Sequence, residues 1–435
     1  MLASCIFLAG VSALQAQENV LLIIADDLGV DSLGLYSDID VAPTPNIDSL
    51  AAEGVRFTNA WANPSCTPTR ASLLTGRYGF RTGVGAPGDQ ISEDEFTIPM
   101  GLSTEGYDSG CFGKWHLAGN RNGGDTNPAV MGFTRYEGAI SGGLADYFNY
   151  PEVTVRSADL EAVTTTITNY ATSETVDDAL RWIGNRGDTP WYCQVAFNAP
   201  HEPYHLPPED LHSSDLSGTN GDINNNPRAY YNAMVEAMDT EIGRLLNSLD
   251  PDTLANTNII FIGDNGTPNN TSTDFERGAK GQLYQGGVHV PFIVSGPSVN
   301  GPLNRTQDSP IHVVDIFETV LELAEVNLDT AVPDTVTYDS VSIVDYLTDA
   351  NQENLHTFSY TEGFRDPTGN NDGATITNND YKFIRFNSNG NEELYHISND
   401  PLETTDLNTG TISGTDLENL NALRDELDAF QSSED

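Results

Sequence analysis

Val20-Leu21-Leu22-Ile23-Ile24-Ala25 is an unbroken apolar run that stops abruptly at Asp26-Asp27. A surface helix or a half-exposed strand would interleave polar residues. A short continuous run fits a strand covered on both faces, as in a parallel sheet sandwiched between helices. Strand-like segments recur at 107–112, 191–197, 258–262 and 291–295. Helical stretches fall between them, at 46–53, 174–184, 232–249 and 313–324. The third carries Met234, Met238, Ile242, Leu245 and Leu249 on one stripe, the spacing of a helix with one buried face.

After about Pro333 the pattern changes. Short strands are expected at 357–362, 374–377, 381–386 and 393–397, then a closing helix at 417–430. The expected fold is α/β: a large mixed, mostly parallel sheet flanked by helices, with a smaller C-terminal antiparallel α+β subdomain. The boundaries read as 17–333 and 334–435. The Asn/Gly/Thr-rich stretches 120–127 and 217–226 read as surface loops.

In an open α/β sheet, ligands gather beyond the carboxyl ends of the strands. Polar residues fall there repeatedly. Asp26 and Asp27 follow the first strand, Lys114 and His116 the second, His201 the third, and Asp264 and Asn265 the fourth. The acids and the amide are oxygen donors, which suit a hard cation such as Ca²⁺ or Mg²⁺. Either pair alone reads equally well as a turn or a helix cap. Together, at one sheet edge, they favour a metal site.

The formal net charge is −45, from 64 Asp plus Glu against 19 Lys plus Arg. Nucleic-acid binding is excluded as a main role, because neutralising phosphates needs basic surface. Residues 1–16 read as a secretory signal cut after Ala16, with an apolar run too short to span a membrane. That places the mature protein in the periplasm or outside the cell, with no membrane span. Of four cysteines, Cys5 leaves with the signal. Cys111 and Cys193 sit inside strand-like runs and read as buried thiols, although a disulfide between them stays open.

Cys66 lies in Asn63-Pro64-Ser65-Cys66-Thr67-Pro68-Thr69-Arg70-Ala71-Ser72-Leu73-Leu74-Thr75-Gly76-Arg77. Pro68 fits the first turn of a helix and Gly76 its end. Cys66 then stands at the helix N-terminus, where backbone N–H groups favour anionic oxygens, with Arg70 one turn further on the same face. A lone Cys is more often a small buried hydrophobe; its neighbours favour a reactive role.

This stretch resembles the signature of type I, formylglycine-dependent sulfatases, of the alkaline-phosphatase-like superfamily. Other segments resemble that family in order: Asp26-Asp27 after the first strand, Gly113-Lys114-Trp115-His116-Leu117, Pro200-His201-Glu202-Pro203, Gly263-Asp264-Asn265-Gly266, and the lysine-bearing run around Lys280. Asp400-Pro401-Leu402-Glu403 resembles its C-terminal turn. Gln285-Gly286-Gly287 and His289 depart from the family's usual Glu-Gly-Gly and later Arg.

The resemblance implies a secreted sulfatase acting on sulfate monoesters of polysaccharides or oligosaccharides. A maturating, formylglycine-generating enzyme would convert Cys66 to formylglycine. Asp26, Asp27, Asp264, Asn265 and residue 66 would bind one Ca²⁺, or Mg²⁺. Arg70, Lys114 and Lys280 would surround the sulfate, His201 and Lys280 would face the leaving oxygen, and His116 would take a proton from residue 66. Tyr204, His205, His212 and Arg277 are candidate substrate contacts, each more readily read as a surface residue. The alternatives are a phosphonate or phosphate ester hydrolase on the same scaffold and a non-catalytic binder of sulfated glycans.

Overall fold

The computed structural model describes residues 17–158, 160–273, 278–365 and 372–432 of the 435-residue chain. The segment read as a leader, 1–16, and Arg277 lie outside the described residues. In chain order the strands are β1 (Asn19–Ala25), β2 (Gly54–Phe57), β3 (Ala60–Trp61), β4 (Asp108–Gly113), β5 (Arg135–Gly138), β6 (Tyr150–Arg156), β7 (Ala162–Ile167) and β8 (Trp191–Ala196). They continue with β9 (Thr257–Gly263), β10 (Phe292–Ser295), β11 (Arg305–Gln307), β12 (Ile311–His312), β13 (Ser359–Gly363), β14 (Gly373–Thr377), β15 (Lys382–Phe386) and β16 (Glu392–Tyr395).

Ten strands form one sheet in the order β11-β2-β10-β9-β1-β8-β4-β5-β6-β7. Its centre, β9-β1-β8-β4-β5, is parallel throughout. Antiparallel β10 flanks it on one side and β6 with β7 on the other. Every residue of β1, β8 and β9 is buried, as their unbroken apolar runs require. One apolar cluster packs on each face of the sheet. The first includes Leu22, Ile24, Leu74 and Phe317; the second includes Leu21, Ile23, Met234 and Met238.

The C-terminal region forms the antiparallel sheet β13-β14-β15-β16. The helix Gly414–Ser432 covers it through Leu420, Leu423 and Leu427. The expected α/β architecture with a small antiparallel sheet is therefore present. Among the described residues no helix is long and apolar enough to cross a membrane.

Several local readings change. The long helix spans Pro227–Ser248 rather than 232–249, because Pro227 takes a first-turn position where its missing N–H costs nothing. Strands β5, β6 and β7 carried no apolar run: β7, the edge strand, is almost wholly exposed, and β6 contains Pro151 as its second residue. The stretch 120–127 is not simply a surface loop, since Asn122 and Asn127 are buried. Asn122 donates to the carbonyls of Ile91 and Leu117, and Asn127 accepts from the Trp115 indole. The stretch 217–226 is exposed but contains the short helix Asn220–Asn225. Cys111 and Cys193 are free and buried, and burial pushes the Cys111 thiol up to about 12.

Candidate active site

Four parallel strands end at one edge of the sheet, and the residues that follow them converge. β1 delivers Asp26 and Asp27, β4 delivers Lys114 and His116, β8 leads to His201, and β9 delivers Asp264 and Asn265. The turn after β4 needs glycine. Gly113 has φ +97°, and a Cβ there would lie 2.1 Å from the Ala196 carbonyl oxygen. That close approach sets Lys114 against β8, and its N–H donates to Ala196 O at 2.7 Å.

Cys66 is the first residue of the helix Cys66–Thr75, whose end is closed by Gly76 at φ +69°. Every residue of this helix is buried. Cys66 Sγ lies 3.2 Å from His116 Nδ1, and Thr67 Oγ1 lies 3.3 Å from the same nitrogen. One turn on, the Arg70 guanidinium donates to Asp264 Oδ2 from Nε at 3.1 Å and Nη2 at 2.8 Å. Its Nη1 donates to the Lys114 carbonyl at 2.9 Å.

The acids form a compact set. Lys114 Nζ donates to Asp26 Oδ2 at 2.5 Å, with both side chains fully buried. Lys280 Nζ stands 2.6 Å from Asp27 Oδ1, and His201 Nε2 stands 3.8 Å from Asp27 Oδ2. Asn265 Nδ2 donates to Asp27 Oδ1 at 2.9 Å, and the Asp27 N–H donates to Asp264 Oδ1 at 3.0 Å. Asp27 and His116 both hold left-handed backbone angles, φ 70° and 63°. Such angles in residues other than glycine are uncommon and cluster at functional sites.

Burial works to raise the Asp27 carboxyl, but Lys280, His201 and Lys114 outweigh it and hold the pKa below the usual value. For Asp264, burial and the neighbouring Asp26 charge prevail over Arg70, and the pKa is raised. Burial opposes the charge on Lys280, yet Asp27 above all keeps this ammonium above its ordinary value. His116 is pushed down to about 3 by burial, then by Lys114 and Arg70. Its imidazole is therefore neutral near pH 7.

Two sets of three side chains lie close enough to share an ion: Asp26, Cys66 and Asp264, and Asp26, Asp27 and His201. Asp26 Oδ1 and Asn265 Oδ1 are buried and have no hydrogen-bond partner. A buried oxygen without a partner is costly, and a hard cation would satisfy both. The residues present fit Ca²⁺ or Mg²⁺.

All ten site residues expected from the sequence thus fall at one location. The outlying candidates are different. His205 is half-buried against the Tyr147 ring at 4.3 Å, and burial pushes it down to about 4; it is not a surface residue. Tyr204 is half-buried and donates to Asn270 Oδ1 at 3.2 Å. His212 is half-buried, and its Nδ1 accepts from the Ser214 N–H at 3.2 Å.

Sequence reasoning missed two supports. Tyr231 donates to the Asp27 carbonyl at 2.8 Å and lay one residue outside the expected helix. Thr67 adjoins Cys66 in sequence, and only the fold turns its hydroxyl toward His116.

A sequence model of the family described as Sulfatase matches residues 18–326. A sulfatase from Formosa agariphila is 30% identical over 473 aligned residues, covering 89% of this chain and 84% of that protein. The crystal structure of Ps i-CgsB in complex with k-i-k-neocarrahexaose is similar with a TM-score of 0.77 at 25% identity, covering 95% of this chain and 93% of the other. The phosphonate monoester hydrolase of Agrobacterium radiobacter has a TM-score of 0.72 at 21% identity, with 95% of each chain covered. At that identity the likeness is one of fold.

Proposed function

The chain belongs to the sulfatase family and is a sulfuric ester hydrolase, and we propose that it removes sulfate from sulfated poly- or oligosaccharides with residue 66 as nucleophile. The observation that carries this reading is the 3.2 Å approach of Cys66 Sγ to His116 Nδ1, at a helix N-terminus beside Arg70, Lys114 and the acids. The carbohydrate class is supported by the neocarrahexaose complex of the structural relative.

In this reading a separate maturating enzyme oxidises Cys66 to formylglycine. That group supplies a hydrated aldehyde, one hydroxyl for attack on sulfur and a second whose loss of a proton releases sulfate. Residue 66 and the oxygens of Asp26, Asp27, Asp264 and Asn265 would hold Ca²⁺, with Mg²⁺ as the alternative. When bound, such an ion would supply Lewis acidity toward the sulfate and the hydroxyl of residue 66.

This chain's own residues do the rest. Arg70, Lys114 and Lys280 surround the sulfate with fixed positive charge in a buried setting, where such contacts are strongest. Lys280 and His201, both against Asp27, face the leaving oxygen, and one of them protonates it. Neutral His116 takes the proton from residue 66. We read 17–333 as the catalytic unit, 334–435 as its C-terminal subdomain, and residues 1–16 as a leader sending the protein to the periplasm or outside the cell.

Release of inorganic sulfate from defined sulfated oligosaccharides, measured beside phosphate and phosphonate esters at saturating Ca²⁺, tests the reading. Faster turnover of the phosphorus esters overturns it. So does binding of sulfated glycan without sulfate release by protein converted at residue 66. The mass of the peptide spanning residue 66 in active protein tests the nucleophile: an unmodified Cys removes formylglycine from the mechanism.

A further inference from the structure

A second fully buried ion pair lies outside the set of residues described so far. Lys382, at the start of β15, places Nζ 2.7 Å from Glu403 Oε1, and neither side chain is exposed at all. Taking two charges out of water costs about as much as their attraction returns, so such a pair is poor evidence of stabilisation. What the pair holds is more informative.

The other oxygen, Glu403 Oε2, accepts the backbone N–H of Gln285 at 2.6 Å. Gln285 opens the one-turn helix Gln285–Val288, and the bond crosses 118 positions in sequence. Two residues on, the Gly287 carbonyl accepts from the Gly266 N–H at 2.9 Å. Gly266 and Gly286 are in such close contact that a Cβ on Gly266 would lie 1.9 Å from the Gly286 oxygen. Asn265 Nδ2 in turn donates to the Gly266 carbonyl at 3.0 Å, and Asn265 Oδ1 is one of the two unpartnered buried oxygens of the site. A shift of 285–287 therefore moves the turn that aims Asn265.

Lys382 has a second contact. Its Nζ stands 5.0 Å from the centre of the Trp61 ring. Trp61 bridges His289, and the Ala62 N–H donates to the Val288 carbonyl at 2.8 Å. The same small sheet reaches the nucleophile loop by another route: Thr361 Oγ1 donates to Asn63 Oδ1 at 3.0 Å, and the Asn63 N–H donates to Thr69 Oγ1 at 3.1 Å.

We propose that Glu403, held in place by Lys382, is a positioning residue: through the Gln285 N–H it fixes the helix Gln285–Val288 and so sets the turn Asp264-Asn265-Gly266 for metal binding. The C-terminal sheet, beyond the residues 18–326 matched by the family model, thereby completes the site. The inference rests on the reading of Asp264 and Asn265 as metal ligands.

The test uses the full chain stripped of divalent ions and titrated with Ca²⁺ by calorimetry. Glu403→Ala is expected to weaken Ca²⁺ binding about tenfold, the scale of losses when a group that orients a ligand is removed. It should lower kcat more than it raises KM. Glu403→Gln keeps an acceptor for the Gln285 N–H and should restore Ca²⁺ affinity to within about threefold of wild type. Leu427→Ala, in the core of the same subdomain, should lower the melting temperature and leave the Ca²⁺ dissociation constant unchanged. The paired change Lys382→Met with Glu403→Leu strands no buried charge and still lacks the acceptor. It should show the weakened affinity even where Glu403→Ala folds poorly. Wild-type affinity in Glu403→Ala or in the paired variant overturns the proposal, as does an equal loss in Leu427→Ala. Wild-type protein that takes up no Ca²⁺ overturns the ligand reading itself, and is a separate failure.

Discussion

Among the described residues, two clusters of three buried carboxylates meet the same electrostatic problem differently. Asp26, Asp27 and Asp264 gather at the ends of β1 and β9. Glu137, Glu152 and Asp178 gather where β5 and β6 meet the helix Ala171–Ile183. In the first, Lys114, Arg70 and Lys280 pair with the acids, and Asp26 Oδ1 stays buried without a partner. In the second, Arg135 and Arg181 bond Glu137, and Arg181 also bonds Asp178. Burial, followed by Glu152 and Glu137, pushes the Asp178 carboxyl up to about 9; burial pushes Glu152 up to about 7. The second cluster thus settles its charge with arginines and retained protons. The first pairs its acids with cations, which hold Asp27 below its usual pKa, and leaves an Asp26 oxygen buried without a partner. A count of acids does not separate the two; unmet bonds and the position of the cations do.

The contrast can be broken at several points. The largest effect is expected at Cys66, the proposed nucleophile. Cys66→Ala should lower sulfate release by at least about 10⁴-fold. Cys66→Ser lacks the second hydroxyl and should give at most a single turnover. Repeated turnover by the Ser variant, followed as sulfate released per enzyme, would remove the reason for a modified residue.

Asp264→Asn should come next. It strands the buried Arg70 charge, a loss of about 3–5 kcal/mol when one partner of a buried pair is removed, seen as a lower denaturant midpoint. It should also abolish the rise in melting temperature on adding Ca²⁺. Asp178→Asn should leave turnover within about twofold, since nothing ties it to residue 66; equal losses in the two variants would erase the distinction between the clusters.

Removing divalent ions with a chelator should lower the melting temperature of wild-type protein and of Asp178→Asn alike. Restoring Ca²⁺ to 100 times its dissociation constant should return about 2.7 kcal/mol to each. A calcium response missing only from Asp178→Asn would move the ion to the wrong cluster.

The smallest effect is one of pH. A carboxyl with a raised pKa binds its proton more tightly in the folded protein than in the unfolded chain. Its contribution is complete below the unfolded value of about 4. It is lost as pH rises through the folded value, about 9 for Asp178. Wild-type stability should therefore fall more steeply between pH 5 and about 9 than that of Asp178→Asn, whose amide does not titrate. Parallel melting-temperature curves would show that this cluster holds no extra proton.

Much of the first cluster was legible before any coordinates. Asp26-Asp27 and Asp264-Asn265 follow strands that announce themselves as continuous apolar runs, and the fold rule for parallel sheets brings such ends together. The Cys66 helix was legible for the same local reason, with Pro68 at its start and Gly76 at its end. The second cluster was not legible. Its strands β5 and β6 lie toward the sheet edge without an apolar run, and no local pattern singles out Glu137, Glu152 or Asp178. Asn122 and His205 were misplaced outward for a related reason: polarity suggests exposure, while their burial depends on partners far along the chain.

The sequence by itself determined the central strands β1, β4, β8 and β9, the polar residues that follow them and the helix beginning at Cys66, because each depends on side-chain periodicity and turn chemistry within a few residues. Tertiary structure alone decided which buried acid keeps an unpaired oxygen, that burial lowers the His116 pKa, and that Lys382 and Glu403 reach back to Gln285. Those depend on desolvation and on partners up to more than a hundred positions away, and no local pattern encodes either.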